Sequence, residues 1–474
     1  MNKLFPLTEY AQSKRLNLKK IAVTLMTTTA LLLGTAHADT ATANSPSETK
    51  TRTVETWKTA EGADVYYRYA PEIPIVDLIV AVDAGSFRDG EQYGLASMTA
   101  NMMTKGSGEL DEEAFLIQLD QLQSSIGVSS NLQQTRFSLR SLADETHLQP
   151  SLTLFYDVLA HPQFDEAIFE REITQAIDGE KALLDDPASI ASELYYQTLY
   201  PNGYLGVTSE MLQASLKKLK VEDLKQFRDQ FYHANQAKIV FVGDLSQDEA
   251  KNIASQVSKL LGKGEAHTAL AEKNEKVAPT RVERYFDSPQ TQVILGQAGI
   301  DRFDPDYLPL IVGNHLLGGS GLTSMLMTTI REKDGLTYGI YSSFMPLSIA
   351  GPYSIRFSTK NASVDEAIDK TKAVIRDFIA NGPEAEALQR AKNNFVGSLV
   401  LDLDSNAKQA NSILNLATYG LPLDYYETLP EKVAAITPEE IQAAFKAHVN
   451  PDEMVTIIVG GDVAQKTDDT TETK

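Results

Sequence analysis

Ala237-Lys238-Ile239-Val240-Phe241-Val242-Gly243-Asp244 and Val455-Thr456-Ile457-Ile458-Val459-Gly460-Gly461-Asp462 decide the fold of this chain. Each is a run of β-branched and apolar residues that stops at Gly-Asp, the pattern of a buried strand ending in a turn. Working outward from each run, a second shared feature lies upstream. Phe137-Ser138-Leu139-Arg140 begins 107 positions before Asp244, and Tyr353-Ser354-Ile355-Arg356 begins 109 positions before Asp462. An amphipathic helix is predicted after each, over 149–159 and 364–379. One such pair could arise by chance, but two in register argue for a duplicated unit.

The chain has 474 residues, too many for one hydrophobic core. Its 42% hydrophobic and 23% charged content is that of a folding globular protein. Strands are predicted over 77–84 and 292–297, and helices over 111–126 and 384–401. Helices come in pairs rather than alternating strictly with strands. The expected class is therefore α+β, with two homologous halves, each a mostly antiparallel sheet packed with helices. A Lys-, Glu- and Ala-rich stretch at 263–281 reads as the linker between them. The expected domains are 55–262 and 282–463, with a polar lead-in at 39–54 and a tail at 464–474.

Residues 1–38 read as a secretory signal. Lys14, Arg15, Lys19 and Lys20 flank an apolar run from Ile21 to Ala36, and Ala36-His37-Ala38 is a small-x-small cleavage site. An uncleaved anchor is the alternative reading. Cleavage removes five basic residues and one acidic one, taking the net charge from −21 to −25. A chain this acidic repels nucleic acid and anionic lipid, so neither is expected as a partner. With no cysteine, thiolate catalysis and Cys-based metal sites are excluded. An export signal without a lipidation Cys points to the periplasm, with no membrane attachment once the signal is gone.

After the strand at 77–84 comes Gly94-Leu95-Ala96-Ser97-Met98-Thr99-Ala100-Asn101-Met102-Met103-Thr104-Lys105-Gly106, with Leu95, Met98 and Met102 spaced for one helical face. In the other half, Leu317-Gly318-Gly319-Ser320-Gly321-Leu322 precedes Arg331-Glu332-Lys333-Asp334-Gly335-Leu336-Thr337-Tyr338. This layout resembles the inverted zinc peptidases, the family of pitrilysin, insulin-degrading enzyme and the mitochondrial processing peptidase. There the first helix carries His-x-x-Glu-His, two zinc ligands and a general base. Here that frame reads Ser97-x-x-Ala100-Asn101. The family's third ligand lies in a helix opening Phe-Glu-Arg-Glu, kept here as Phe169-Glu170-Arg171-Glu172, and its position falls on Gly179. None of the six histidines beyond the signal pairs with another at helical spacing. The resemblance therefore implies no metal in this chain.

The second half matches the family's glycine-rich turn and Arg-Glu-Lys-x-Gly-Leu-x-Tyr segment. Taken alone, Arg331 reads as a solvated helix-end charge and Tyr338 as the edge of a core. The resemblance implies more: an Arg that anchors the peptide backbone, and a Tyr that donates to the scissile carbonyl of a substrate held against another half's zinc. The expectation is a non-zinc-binding subunit of a heterodimer. Its partner is a homologue with intact His-x-x-Glu-His that holds the zinc, and its substrate is a peptide or unfolded polypeptide. The alternative is an inactive scaffold or peptide-binding homologue. No Gly-x-Ser-x-Gly elbow points to unrelated catalysis on the same fold.

Overall fold

The computed structural model describes residues 53–268, 277–401 and 403–461. The signal at 1–38, most of the lead-in, the middle of the linker, Asp462 and the tail lie outside the described residues. In chain order the first half runs β1 (Glu55–Lys58), β2 (Asp64–Tyr69), β3 (Ile75–Val82), α1 (Leu95–Met102), α2 (Glu112–Gln121), β4 (Ser125–Ser130) and β5 (Thr135–Leu142), then α3 (Glu145–Ala160), α4 (Glu166–Leu183), α5 (Pro187–Leu199), α6 (Ser209–Leu216), α7 (Val221–Phe231), β6 (Ala237–Gly243) and α8 (Gln247–Leu261). The second runs β7 (Arg281–Tyr285), β8 (Ser288–Ala298), α9 (Tyr307–Asn314), β9 (Thr337–Phe344), β10 (Pro352–Lys360), α10 (Val364–Asn381), α11 (Ala385–Leu401), α12 (Asn406–Tyr419), α13 (Tyr425–Ala435), α14 (Pro438–His448) and β11 (Val455–Gly461).

The two Gly-Asp runs become β6 and β11. The sheets have the orders β1-β2-β6-β3-β5-β4 and β7-β11-β8-β10-β9. Each contains one parallel pair, β2 with β6 and β7 with β11, and is antiparallel elsewhere. The repeated glycine has a steric reason. At Gly243 (φ 146°) an added Cβ would stand 2.1 Å from the Ile75 carbonyl oxygen, and at Gly460 (φ 156°) it would stand 2.6 Å from Thr291 Cα. In both halves a neighbouring strand crosses where a side chain would have to go.

The chain's local signals set most of the helix starts. Asp165 caps α4 by accepting from Ile168 N, and Asp186 caps α5 ahead of Pro187. Ser246 with Glu249, and Thr437 with Glu440, form capping boxes on α8 and α14. One expectation fails. The helix predicted over 111–126 stops at Gln121, because Gln123 turns left-handed (φ 48°) and Ser125–Ser130 enters the sheet beside β5. The alternation of Ile126 and Val128 with small polar residues serves that edge strand.

The apolar faces of the two sheets are covered in different ways. On one face of the first sheet, Leu78, Val80, Phe137, Leu139, Ile239 and Phe241 pack with helices of the same half. On its other face, Ile79, Ala81, Val240 and Val242 pack against Ala410, Ile413 and Leu414 of α12, a helix of the second half. The second sheet returns the arrangement: Ile294, Val455, Ile457 and Val459 pack against Ile190, Ala191, Tyr195 and Leu199 of α5. Tyr195 is fully buried there, and its hydroxyl donates to the Tyr353 carbonyl at 2.8 Å. Polar ties join the same seam. Arg356 donates to Ser192 Oγ at 2.7 Å, and Gln133 donates to the Tyr419 hydroxyl at 3.0 Å. Among the described residues no helix is long and apolar enough to cross a membrane.

Candidate functional site

In the first half, α1 starts where Asp89 accepts the N–H groups of Gly94 and Ala96, both at 2.8 Å, and the Tyr204 hydroxyl at 3.1 Å. Burial pushes the Asp89 carboxyl up to about 6, against the opposing pull of these donors. Leu95, Met98 and Met102 are buried as their spacing requires, and Ala100 is buried beside them. Ser97 is exposed. Asn101 lies half-buried, and its amide donates to Glu172 Oε2 at 2.7 Å.

That bond opens a closed network. Glu172, 8% exposed, accepts from Arg171 Nε at 3.0 Å on its other oxygen, and Lys105 stands 3.5 Å away. Lys105 and Arg171 each bridge onward to Glu112 at 2.7 Å. Burial alone would raise the Glu172 carboxyl; the Asn101 amide, Arg171 and Lys105 outweigh it and hold the group below its ordinary value. The hydrogen bond to Lys105 leads in holding Glu112 low as well.

Gly179 sits seven residues further along α4, exposed, with nothing within 4 Å of where a side chain would begin. The four positions thus offer a hydroxyl, a methyl, an amide whose N–H is committed, and no side chain. Zinc would need imidazole or free carboxylate there, and the nearby buried carboxylate, Glu172, is saturated. The residues present do not fit the family's metal.

The second half treats the matching stretch otherwise. Beyond α9 the chain widens into π-helical turns at His315–Gly319 and again at Met327–Lys333, with Ser320 N bonding to the His315 carbonyl and Asp334 N to that of Thr329. Such turns are rare and cluster at functional sites. The glycine-rich turn packs tightly onto β9: a Cβ on Gly318 would fall 2.3 Å from Ser342 Oγ. Asn314 fixes the same contact, donating to the Ser342 carbonyl at 3.0 Å and accepting from its hydroxyl at 2.6 Å. Met327 and Ile330 anchor the π-helical segment in the core. Arg331 is left half-buried on it.

β9 is an edge strand, and Tyr338 lies in a bulge. Ile340 pairs with Phe357 and Thr337 with Thr359, so Tyr338 and Gly339 together oppose Ser358. The Thr337 hydroxyl closes the bulge, with Gly339 N donating to it at 3.1 Å. A bulge re-aims a side chain, and Tyr338 is 83% exposed, not part of a core edge. Among the described residues, neither Arg331 nor Tyr338 makes a side-chain hydrogen bond or ion pair. The sequence named these two residues but gave no sign of the bulge. The Asn101–Glu172 bond was equally invisible, although Phe-Glu-Arg-Glu had marked the right helix.

A crystal structure described as a peptidase M16 inactive domain from Pseudomonas fluorescens superposes with a TM-score of 0.82 at 34% identity, covering 86% of this chain and 98% of that one. This chain belongs to peptidase family M16. Residues 64–210 match the family description "Insulinase (Peptidase family M16)", and residues 218–395 match "Peptidase M16 inactive domain". A non-peptidase homolog, YmxG of Helicobacter pylori, is 26% identical over 79% of this chain and 86% of its own length. The periplasmic protease PqqL of Escherichia coli shares the M16 fold with a TM-score of 0.74 at 18% identity; this chain covers 49% of it.

Proposed function

We propose that this M16 chain is the non-zinc-binding subunit of a heterodimeric periplasmic zinc metallopeptidase. The carrying observation is the contrast between its halves. The ligand and base positions hold Ser97, Ala100, an Asn101 committed to Glu172, and Gly179, whereas Arg331 and Tyr338 stand on a π-helical segment and a bulged edge strand without a side-chain hydrogen bond or ion pair among the described residues. A tyrosine 83% exposed in a bulge buries little of its ring, which favours a role toward a ligand.

In this reading the partner is a homologue with intact His-x-x-Glu-His, and it alone carries zinc. Arg331 holds the carbonyls of a peptide or unfolded segment through its fixed, always-charged donors. Tyr338 donates its O–H to the scissile carbonyl oxygen as that oxygen gains charge, which lowers the barrier only in the transition state. The periplasm is proposed from the leader sequence.

The test mixes the purified chain with a zinc-bearing homologue and follows cleavage of an unfolded peptide. Tyr338→Phe should leave assembly intact and depress kcat; cleavage that is unchanged would overturn the assignment. The name of the Helicobacter relative favours a second reading, a scaffold or peptide-binding homologue without catalytic role. A stable homodimer that neither pairs with a zinc-bearing chain nor binds peptide would establish that reading instead.

A further inference from the structure

The loop before α9 carries three aspartates in six residues, Asp301, Asp304 and Asp306. Asp301 is used locally, accepting the Phe303 N–H at 2.8 Å. The other two face His448, the last residue of α14, from 142 positions away in the chain for Asp306. His448 Nε2 lies 3.0 Å from Asp306 Oδ2 and 3.8 Å from Asp304 Oδ1. One donor atom from each of the three residues lies within 4.8 Å of the other two. Their side chains are 21% (Asp304), 41% (Asp306) and 25% (His448) exposed, so one side of the cluster is open to solvent.

The backbone holds this constellation in place. Asp304 Oδ1 accepts the Asp306 N–H at 2.8 Å, and the Asp304 carbonyl accepts the Tyr307 N–H at 3.0 Å. The His448 carbonyl accepts Gln297 Nε2 at 2.7 Å. The charge is not balanced. Among the described residues no lysine or arginine pairs with either carboxylate, and one imidazole offers at most one positive charge to two negative ones. The loop's own cation is committed elsewhere: the Arg302 guanidinium lies 3.8 Å over the Tyr307 ring and donates to the Tyr425 hydroxyl at 3.1 Å.

We propose that Asp304, Asp306 and His448 bind one divalent transition-metal ion, zinc before others, with water completing its coordination. One imidazole with two carboxylates suits zinc and its neighbours, whereas calcium and magnesium take oxygen ligands alone. The ion would pin the loop and the start of α9 to the end of α14. These two helices already touch closely, since a Cβ on Gly313 would stand 2.6 Å from Phe445 Cε2. α9 leads into the glycine-rich turn, so the ion steadies the support of Arg331 from behind. The site owes nothing to positions 97–101 and does not depend on the peptidase reading. Zinc on the isolated chain is therefore no sign of a peptidase centre.

The test takes the full chain, free of any affinity tag and stripped with chelator, and titrates it with Zn2+ by calorimetry. One equivalent should bind and raise the thermal midpoint. His448→Ala and Asp304→Asn should each weaken binding at least tenfold, with Asn101→Ala leaving it unchanged. X-ray absorption of the zinc-loaded wild type provides a check that needs no variant, and should show a single imidazole among oxygen donors. Failure of the wild type to bind, binding that survives in the Asp304→Asn/His448→Ala double variant, or a spectrum without imidazole would each overturn the site.

Discussion

The first and second halves share a five-strand sheet order, to which the first adds β1, yet they differ most where the family keeps its chemistry. α1 is a short regular helix on which Asn101 is tied inward to Glu172. The matching α9 runs on into π-helical turns, a glycine-rich bend and a bulged strand that carry Arg331 and Tyr338 outward. The first half ties the one amide of its ligand frame inward, and the second leaves the Arg331 and Tyr338 side chains without a hydrogen bond or ion pair among the described residues. A repaired site contributes to stability, and an open one contributes to binding, so the same kinds of residue are expected to respond oppositely to substitution in the two halves.

The largest effect should come at the seam. Tyr195→Ala removes a fully buried ring and its bond to the Tyr353 carbonyl, and should cost about 3–5 kcal/mol of unfolding free energy by urea titration. A cost near zero would mean that α5 does not cover the second sheet. Tyr338→Phe should follow, lowering kcat of the mixed complex by about 10²–10³-fold, the range for losing one oxyanion donor.

Asp89 supplies a pH test in the first half. Its folded-state carboxyl, raised to about 6, binds a proton more readily than the unfolded one. This group therefore adds stability as pH falls from about 6 toward 4, and loses that contribution as pH rises through 6. Asp89→Asn should remove a slope of at most about 1.4 kcal/mol per pH unit from the urea-derived stability profile. An NMR midpoint of the carboxyl near 4 would refute the assignment. Asn101→Ala strips one donor from buried Glu172 and should cost about 1–2 kcal/mol. Arg331→Ala, whose side chain has no hydrogen bond or ion pair among the described residues, should stay within about 0.5 kcal/mol of wild type. If these last two exchanged places, the contrast between a repaired half and an open half would collapse.

The sequence was informative where local pattern suffices. Strand periodicity, the two apolar runs that become β6 and β11, and the spacing of Leu95, Met98 and Met102 all read through to the structure, because each records which face a residue must bury. It was silent on partners. Nothing in the pattern of Ile190, Ala191 and Tyr195 tells which sheet they cover, since periodicity fixes a face and not its neighbour. The end of α2 was lost for a related reason: Gln123 carries no turn signature, and its left-handed turn is set by the pairing of β4 with β5. Arg331 and Tyr338 were found by resemblance, but the bulge that turns Tyr338 outward arises from strand register, a relation between segments twenty residues apart.

The exchange of α5 and α12 makes the molecule a domain-swapped dimer written into one chain. A ribosome completes β3 and β6 well before residues 406–419 exist, so the outer face of the first sheet is made before the helix that covers it. The amino-terminal sheet meets its cover only once α12 has been made.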